Sequence, residues 1–178
     1  LGALGAALGA MVANLSAHKP GWDDRWEEFS NWAVRGKACH DELIRLIDAD
    51  TDAFNGIMDA IRMPKSTDAE QAARAEAMEA ATCVAIDIPL RVMQVSLESM
   101  ETIRAMAKIG NPASASDAGV GALCARSAVM GGELNVRINV KDLVNEATAK
   151  DYVNRAAAIS AEAQTLETEI LALLEANL

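Results

Sequence analysis

Residues 22–61 read WDDRWEEFSNWAVRGKACHDELIRLIDADTDAFNGIMDAI, and this stretch decides the class of fold. Its apolar or small residues recur at alternating steps of four and three, from Trp22 to Ile61, which is the spacing of one face of an α-helix. Only His40 and Asp50 interrupt this apolar face with a polar side chain. The stretch therefore predicts one long amphipathic helix.

Four aspartates in the same stretch raise the question of a calcium site. Asp48, Asp50 and Asp52 have the first, third and fifth spacing of a calcium-binding loop, but that loop also needs Gly at its sixth position and Glu at its twelfth. Ala53 and Asp59 stand there instead. On a helix, moreover, Asp48 and Asp52 point away from Asp50. The aspartates are therefore predicted to hold no metal ion.

Asp50 shares a helical sector with Ile47 and Phe54, so the sequence places one carboxylate within an apolar face. Burial there would raise the pKa of the carboxyl and suit it to proton transfer near neutral pH. The alternative is that Asp50 makes a hydrogen bond between helices and fixes their register. Periodicity alone leaves both interpretations open.

A second long helix is predicted after the break at residues 63–65. Thr67 and Glu70 form the signature of a capping box, and the helical pattern continues from there to Lys108. Pro89 lies inside this pattern and predicts a kink.

Three further signals complete the predicted architecture. Residues 110–117, GNPASASD, form a loop in which Ser116 is the predicted N-cap of the next helix. Residues 134–140, LNVRINV, alternate like a strand, but no second strand is available to pair with them, so they are predicted to be helical. Asn145, or a neighbour, is predicted to cap the last helix. The chain is thus predicted to be one all-α domain over residues 1–178, an antiparallel bundle of five or six helices.

The N-terminal residues 1–17 carry no charged side chain, and Gly5, Gly9, Ala13 and Ala17 form a ridge of small residues at four-residue spacing. Such a ridge lets another helix backbone approach closely. The run falls just short of a bilayer-spanning length, and it lacks the charged start of a signal peptide. We expect no membrane association, and we expect further sequence upstream because the pattern starts within a helix.

Composition and charge narrow the classes of function. The chain is 51% hydrophobic and only 3% aromatic, and 26 acidic against 16 basic residues give a net charge of −10. A surface of that sign disfavours nucleic acid and anionic membranes as partners. Cys39, Cys83 and Cys124 are too scattered for a zinc site or a disulfide framework. We therefore predict thiols in a reducing, cytoplasmic environment.

Five segments carry a resemblance to a known family. They are GALGAALGAMVANLSAHK at 2–19, DADTDAF at 48–54, MPK at 63–65, GNPASASDAGVGAL at 110–123 and LNVRIN at 134–139. Over essentially its whole length the chain resembles the cyclodeaminase/cyclohydrolase family of folate enzymes, and it is most similar to the cyclodeaminase domains of formiminotransferase-cyclodeaminases. In that family a PGGGS turn and an earlier helix precede the small-residue helix. Neither is present here, so we expect part of the folate pocket to lie outside this sequence.

The resemblance implies that Asp50 is the catalytic acid/base. It also implies that seven further residues bind the folate, because they match recurrent motif positions or supply positive charge for a polyglutamate tail: Lys19, Lys65, Gly110, Asn111, Asp117, Asn135 and Asn139. No cofactor is expected beyond the tetrahydrofolate substrate, and no metal.

Two reactions and one non-catalytic role remain open. A cyclodeaminase closes 5-formimidoyltetrahydrofolate to 5,10-methenyltetrahydrofolate and releases ammonia, as in histidine degradation, and the segment GWDDRWEEFSNW at 21–32 favours it. A cyclohydrolase instead adds water to the methenyl carbon. The apolar face alone would also suit a helical oligomerisation module.

Partners follow from the predicted architecture and from the resemblance. We expect a homodimer or a larger assembly, because a helix of about 60 Å outreaches the roughly 30 Å width of a small domain. A fused or associated formiminotransferase domain is expected with the cyclodeaminase reaction. The folate itself is expected to carry a polyglutamate tail.

Overall fold

Five α-helices make up most of the computed structural model, which describes residues 1–175. They are α1 (Gly2–Ala17), α2 (Trp26–Arg62), α3 (Asp68–Ile109), α4 (Ala115–Asn139) and α5 (Glu146–Glu175), with short 3-10 turns at Asp23–Arg25, Pro112–Ser114 and Val140–Asp142. No strand occurs within that range. The predicted all-α fold is confirmed, and the strand-like residues 134–140 lie at the end of α4 and in the turn that follows.

Two of the predicted helix starts are confirmed. At α3, the Thr67 hydroxyl accepts a hydrogen bond from the Glu70 amide at 3.2 Å, and the Glu70 carboxylate accepts one from the Thr67 amide at 3.0 Å. At α5, the Asn145 side-chain oxygen accepts from the amides of Ala147 and Thr148 at 3.0 and 3.1 Å. Both caps satisfy amides that lack a partner within the helix.

The predicted start of α4 is wrong. Ser116 lies inside the helix, which begins one residue earlier at Ala115. The 3-10 turn Pro112–Ser114 runs directly into α4, and its own start is capped by Asn111, whose side-chain oxygen accepts from the Ala113 amide at 3.3 Å. A side-chain cap at Ser116 is therefore unnecessary.

Helix α1 lies in a groove formed by α2, α3 and α4, and small residues make this close packing possible. A Cβ atom at Gly5 would lie 2.7 Å from the backbone oxygen of Gly121, and a Cβ at Gly36 would lie 3.0 Å from the Cβ of Ala10. The predicted small-residue ridge is therefore buried, whereas Leu4 and its neighbours Leu1, Met11 and Leu15 stay exposed.

The largest core cluster is built from α3, α4 and α5, with Ile86, Leu90, Met93, Ile103 and Ile170 among its fully buried members. By length and composition α3 is long and apolar enough to cross a membrane. Helices that form the core of a folded domain often meet the same two criteria.

Helix α2 follows its predicted apolar face only in its first half. Phe29, Ala33 and Leu43 are buried as expected, but beyond Leu43 the exposed fractions of Ile47 and Phe54 are both 61%. The reason is that α1 covers this side of α2 and begins level with Leu43, where a Cβ at Gly2 would lie 3.3 Å from the Leu43 side chain. In the second half of α2, buried contacts come instead from the neighbouring positions Leu46, Ala53 and Ala60.

Candidate active site

An open cavity of about 500 Å³ lies at the N-terminal end of α1, where the groove between α2, α3 and α4 continues past the helix. Its volume lies in the range of small-molecule sites. Helix α3 provides an apolar floor, and α2 and α4 provide opposite walls. The principal lining residues are Ile88, Pro89 and Val92 on α3, Ile47, Asp50 and Thr51 on α2, and Ser127, Gly131 and Asn135 on α4.

Asp50 provides the carboxylate of this cavity. Of the three aspartates at 48, 50 and 52, only Asp50 lines it, as its helical sector led us to expect. Asp50 is nevertheless exposed, and so is its neighbour Ile47. The burial expected from the apolar face is therefore absent in the single chain, and the carboxylate lies on the open side of the site.

Asn135 belongs to the opposite wall. It lies on α4 and lines the same cavity as Asp50, so helix packing unites residues that are far apart in sequence. Gly131, one turn before Asn135 on α4, leaves open space in the cavity, because a Cβ there would meet no atom within 4 Å. A carboxylate and an amide thus border the same apolar floor from two different helices.

Asn139 has a different position from Asn135. It is absent from the cavity lining, and its side-chain amide donates a hydrogen bond to the backbone oxygen of Ala85 at 3.0 Å. This contact joins the end of α4 to α3 one turn before Pro89.

The other predicted binding residues do not reach the cavity within one chain. Lys19, Gly110 and Asn111 lie at the far end of α1, where the Asn111 amide donates to the Ser16 hydroxyl at 2.8 Å. Since α1 has 16 residues, that end lies about 24 Å from the cavity. The ammonium of Lys19 lies 4.0 Å from the centre of the Trp22 ring.

Asp117 and Lys65 also lie outside the cavity lining. Asp117 is in the first turn of α4, and Lys65 is exposed in the turn between α2 and α3. Binding roles for these residues and for Lys19, Gly110, Asn111 and Asn139 therefore stay predictions.

An ion pair beside the cavity joins α2 to α3. The Glu42 carboxylate accepts hydrogen bonds from the Arg45 guanidinium at 2.8 and 2.9 Å and from Arg91 at 3.3 Å. These contacts, above all the hydrogen bonds from Arg45, lower the pKa of Glu42 to about 2. The carboxylate is thus ionised throughout the neutral range, and it pairs with Arg91 across the interface between α2 and α3. Sequence reasoning does not identify this pair, because Arg91 and Glu42 meet only through helix packing.

A buried phenol lies beneath the cavity floor, and it offers a test of the packing of α5 on α3. The Tyr152 hydroxyl donates to the Asp87 carboxylate at 2.8 Å, and burial together with this hydrogen bond raises the pKa of Tyr152 from 10.0 to about 12. The neutral phenol therefore stabilises the fold fully below pH 10, and this contribution is lost between about pH 10 and 12.

Tyr152 is the single tyrosine of the chain, so ultraviolet absorbance of the phenolate reports it alone. We expect a titration midpoint near 12, and Asp87→Asn should move the midpoint towards 10 because the charged acceptor is gone. A wild-type midpoint at the ordinary value would contradict the packing of α5 described here.

Within residues 1–175, no three His, Cys, Asp or Glu side chains are grouped so as to hold a metal ion. The expectation that no metal is needed stays a prediction, which restoration of a chelator-treated enzyme by a divalent ion would overturn. The polar lining of the candidate site consists of Asp50 and Thr51 on α2 and of Ser127 and Asn135 on α4, above an apolar floor on α3.

Comparisons with known proteins place this helical fold in a family. The sequence profile of the formiminotransferase-cyclodeaminase family matches residues 1–158. The chain is 34% identical over 169 residues to a methenyltetrahydrofolate cyclohydrolase of Methylorubrum extorquens, and this alignment covers 95% of the chain and 81% of that protein. It is 33% identical over 172 residues to the formimidoyltransferase-cyclodeaminase of Gallus gallus, covering 97% of the chain and 32% of that longer protein.

A solved structure shows the same fold. The crystal structure of a formiminotetrahydrofolate cyclodeaminase from Thermotoga maritima superposes with a TM-score of 0.85 at 24% identity, covering 98% of the chain and 83% of that structure. The fold is that of an all-helical domain, and the relatives that match it are named as folate-processing enzymes. The chain belongs to the formiminotransferase-cyclodeaminase family.

Proposed function

We propose that this protein is a formimidoyltetrahydrofolate cyclodeaminase, which converts 5-formimidoyltetrahydrofolate to 5,10-methenyltetrahydrofolate with release of ammonia. The observation that carries the proposal is the cavity in which Asp50 and Asn135 stand on opposite walls above the apolar floor around Pro89. Family membership supports a folate as the ligand. The small residues of α4 would admit the flat pterin ring, and the Asn135 amide would hydrogen-bond to its polar edge.

The chemistry needs one group that both accepts and donates a proton. The formimidoyl group reacts in its protonated form, C=NH2+. The N10 nitrogen of the folate attacks its carbon, the C=N π pair moves onto the nitrogen and leaves an amino group, and Asp50 takes the proton that N10 loses. The carboxyl then gives this proton to the departing amino group, the bond between that nitrogen and the formimidoyl carbon breaks, and ammonia leaves. The proton is thus returned within one cycle, so a single carboxylate suffices and no further cofactor is required.

The alternative is a methenyltetrahydrofolate cyclohydrolase. It is favoured by the relative from Methylorubrum extorquens, which bears that name and matches the chain over most of both lengths. In that reaction water attacks the methenyl carbon, and the same Asp50 carboxylate would accept a proton from the water. The cavity described above would serve either reaction.

An assay with two substrates separates the alternatives. Purified protein is supplied with synthetic 5-formimidoyltetrahydrofolate or with 5,10-methenyltetrahydrofolate, and ammonia and folate products are measured. Ammonia release from the first substrate supports the cyclodeaminase. Turnover of the second substrate alone supports the cyclohydrolase, and no turnover of either supports a non-catalytic helical module.

We further propose that the protein acts as a homodimer or larger assembly. Helix α2 is 37 residues long, about 55 Å, and its exposed apolar side chains Ile47, Phe54 and Ile61 need cover from a second copy. Light scattering is expected to show at least a dimer at micromolar concentration, and Phe54→Gln should weaken the association. Val144→Gln, at an 86% exposed position before α5, is the matched control. A stable wild-type monomer would overturn this proposal.

Three further expectations belong with this function. The folate would carry a polyglutamate tail, whose negative charges need cations such as Lys19 or Lys65 near the site. A formiminotransferase domain would be fused to or associated with the chain. The free thiols at Cys39, Cys83 and Cys124 suit a cytoplasmic protein.

A further inference from the structure

A proline in the middle of a helix leaves one backbone carbonyl without its usual donor. Pro89 lies within α3 and has no N–H, so the carbonyl of Ala85, four residues earlier, loses its helical hydrogen bond. Ala85 is only 9% exposed, and a buried carbonyl without a partner destabilises a fold. Some other donor is therefore required at this point.

Asn139 supplies that donor. Its side-chain Nδ2 lies 3.0 Å from the Ala85 oxygen, across the interface between α4 and α3. A carbonyl only accepts hydrogen bonds, so the amide nitrogen of Asn139, and not its oxygen, must face it. The side chain thus occupies the place of the backbone N–H that Pro89 lacks.

A second contact fixes the same register of the two helices. A Cβ at Gly132 would lie 3.0 Å from the Pro89 oxygen and 2.5 Å from the Met93 side chain, so the close approach of α4 to α3 there depends on the missing side chain of Gly132. Gly132 on α4 faces Pro89 on α3. About two turns further along α4, Asn139 faces Ala85, which lies about one turn before Pro89 on α3. The floor of the cavity is held between these two contacts.

We propose that Asn139 is a positioning residue, whose amide replaces the backbone donor removed by Pro89 and thereby holds the cavity floor of Ile88, Pro89 and Val92 against α4. The resemblance to folate enzymes implies a direct binding role for Asn139, whereas this contact assigns it a role through α3. The effect on catalysis rests on the proposed function. The hydrogen bond to Ala85 does not.

The hydrogen bond is tested by a double-mutant cycle in the full chain, because Pro89→Ala restores an N–H that can donate to Ala85. Urea unfolding is measured for wild type, Asn139→Ala, Pro89→Ala and the double variant. With Pro89 present, Asn139→Ala is expected to raise the unfolding equilibrium constant by about tenfold, the scale of one hydrogen bond. In the Pro89→Ala background, the increase should be several-fold smaller. Equal increases in both backgrounds would overturn the proposal.

Folate binding distinguishes positioning from direct contact. The KM for the turned-over folate is measured in the same four proteins, and in Asn139→Gln, which retains the amide. If Asn139 is a positioning residue, Asn139→Ala should raise the KM in the protein that keeps Pro89. The KM of Asn139→Gln should lie between those of wild type and Asn139→Ala. In the Pro89→Ala background, the increase in KM caused by Asn139→Ala should be smaller. The same factor in both backgrounds would show direct contact and overturn the proposal.

The two proposals can fail separately. Urea unfolding needs no folate, so a positive unfolding cycle in a protein that turns over neither folate would support the hydrogen bond and overturn the proposed function. A failed unfolding cycle in an active enzyme would overturn the role of Asn139 and leave the function intact.

Discussion

Asp50→Asn is expected to lower turnover by about a hundredfold or more, the usual scale for losing a general acid/base. Asparagine keeps the size of the side chain and its hydrogen-bonding capacity, but it cannot accept and return the N10 proton. The KM should change much less than kcat. Because Asp50 is exposed, the free energy of unfolding should stay within about 0.5 kcal/mol of wild type. Steady-state kinetics and urea unfolding measure both effects.

Asp48→Asn and Asp52→Asn are matched controls for this change. Both aspartates are exposed on the same helix, and neither lines the cavity. Both variants should turn over folate at close to the wild-type rate. Full activity of Asp50→Asn, or equal damage from Asp48→Asn, would show that the acid/base lies elsewhere.

Gly5→Val is expected to cause the largest loss of stability among the changes considered. A Cβ at this position would lie 2.7 Å from the Gly121 oxygen and 2.9 Å from the Ala125 nitrogen. Both are backbone atoms, so α1 must move away from α4 to admit a side chain. Overpacking of this kind costs about 3 kcal/mol, a large part of the stability of a typical domain. Urea or thermal unfolding would measure it.

Gly56→Ala is the control for Gly5→Val. Gly56 lies within α2, and a Cβ there would meet no atom within 4 Å. Alanine should therefore stabilise the helix by about 0.5–1 kcal/mol, because glycine is the poorer helix former. If Gly5→Val were as well tolerated as Gly56→Ala, the close approach of α1 to α4 would be wrong.

The class of fold could be predicted from local signals because each signal has a local physical cause. The Thr67–Glu70 cap and the Asn145 cap depend on residues within one turn, and the structure contains both. The ridge of small residues likewise predicted close packing of α1 without identifying its partners. Ser116 failed as a cap because the preceding 3-10 turn continues directly into α4.

The second half of α2 shows where periodicity is insufficient. Leu46 and Ile47 are adjacent, as are Ala53 and Phe54, and either member of each pair fits a helical face. Ile47 and Phe54 fitted the continuation from Leu43, yet the structure buries Leu46 and Ala53. Which side of a helix is covered depends on where its neighbours begin, and α1 begins level with Leu43.

The candidate site was only partly accessible from sequence for the same reason. The helical sector separated Asp50 from Asp48 and Asp52, but its meeting with Asn135 depends on how α2 and α4 pack around α3. The sequence did contain a signal for the role of Asn139 as a hydrogen-bond donor to α3. Pro89 inside a helix requires a replacement donor for the Ala85 carbonyl, but the sequence does not say which residue supplies it.

The groove that holds α1 also has a consequence for the order of folding. Gly5, in the first helix, meets the backbone of Gly121 in the fourth, so this contact cannot form while a ribosome is still making α2 and α3. Contacts between α2 and α3 connect helices that follow one another in the chain, and we expect them to form earlier. Until α4 emerges, the apolar first helix lacks part of its binding surface. A pause in translation within α4 would therefore lengthen the period in which the nascent chain is prone to aggregation.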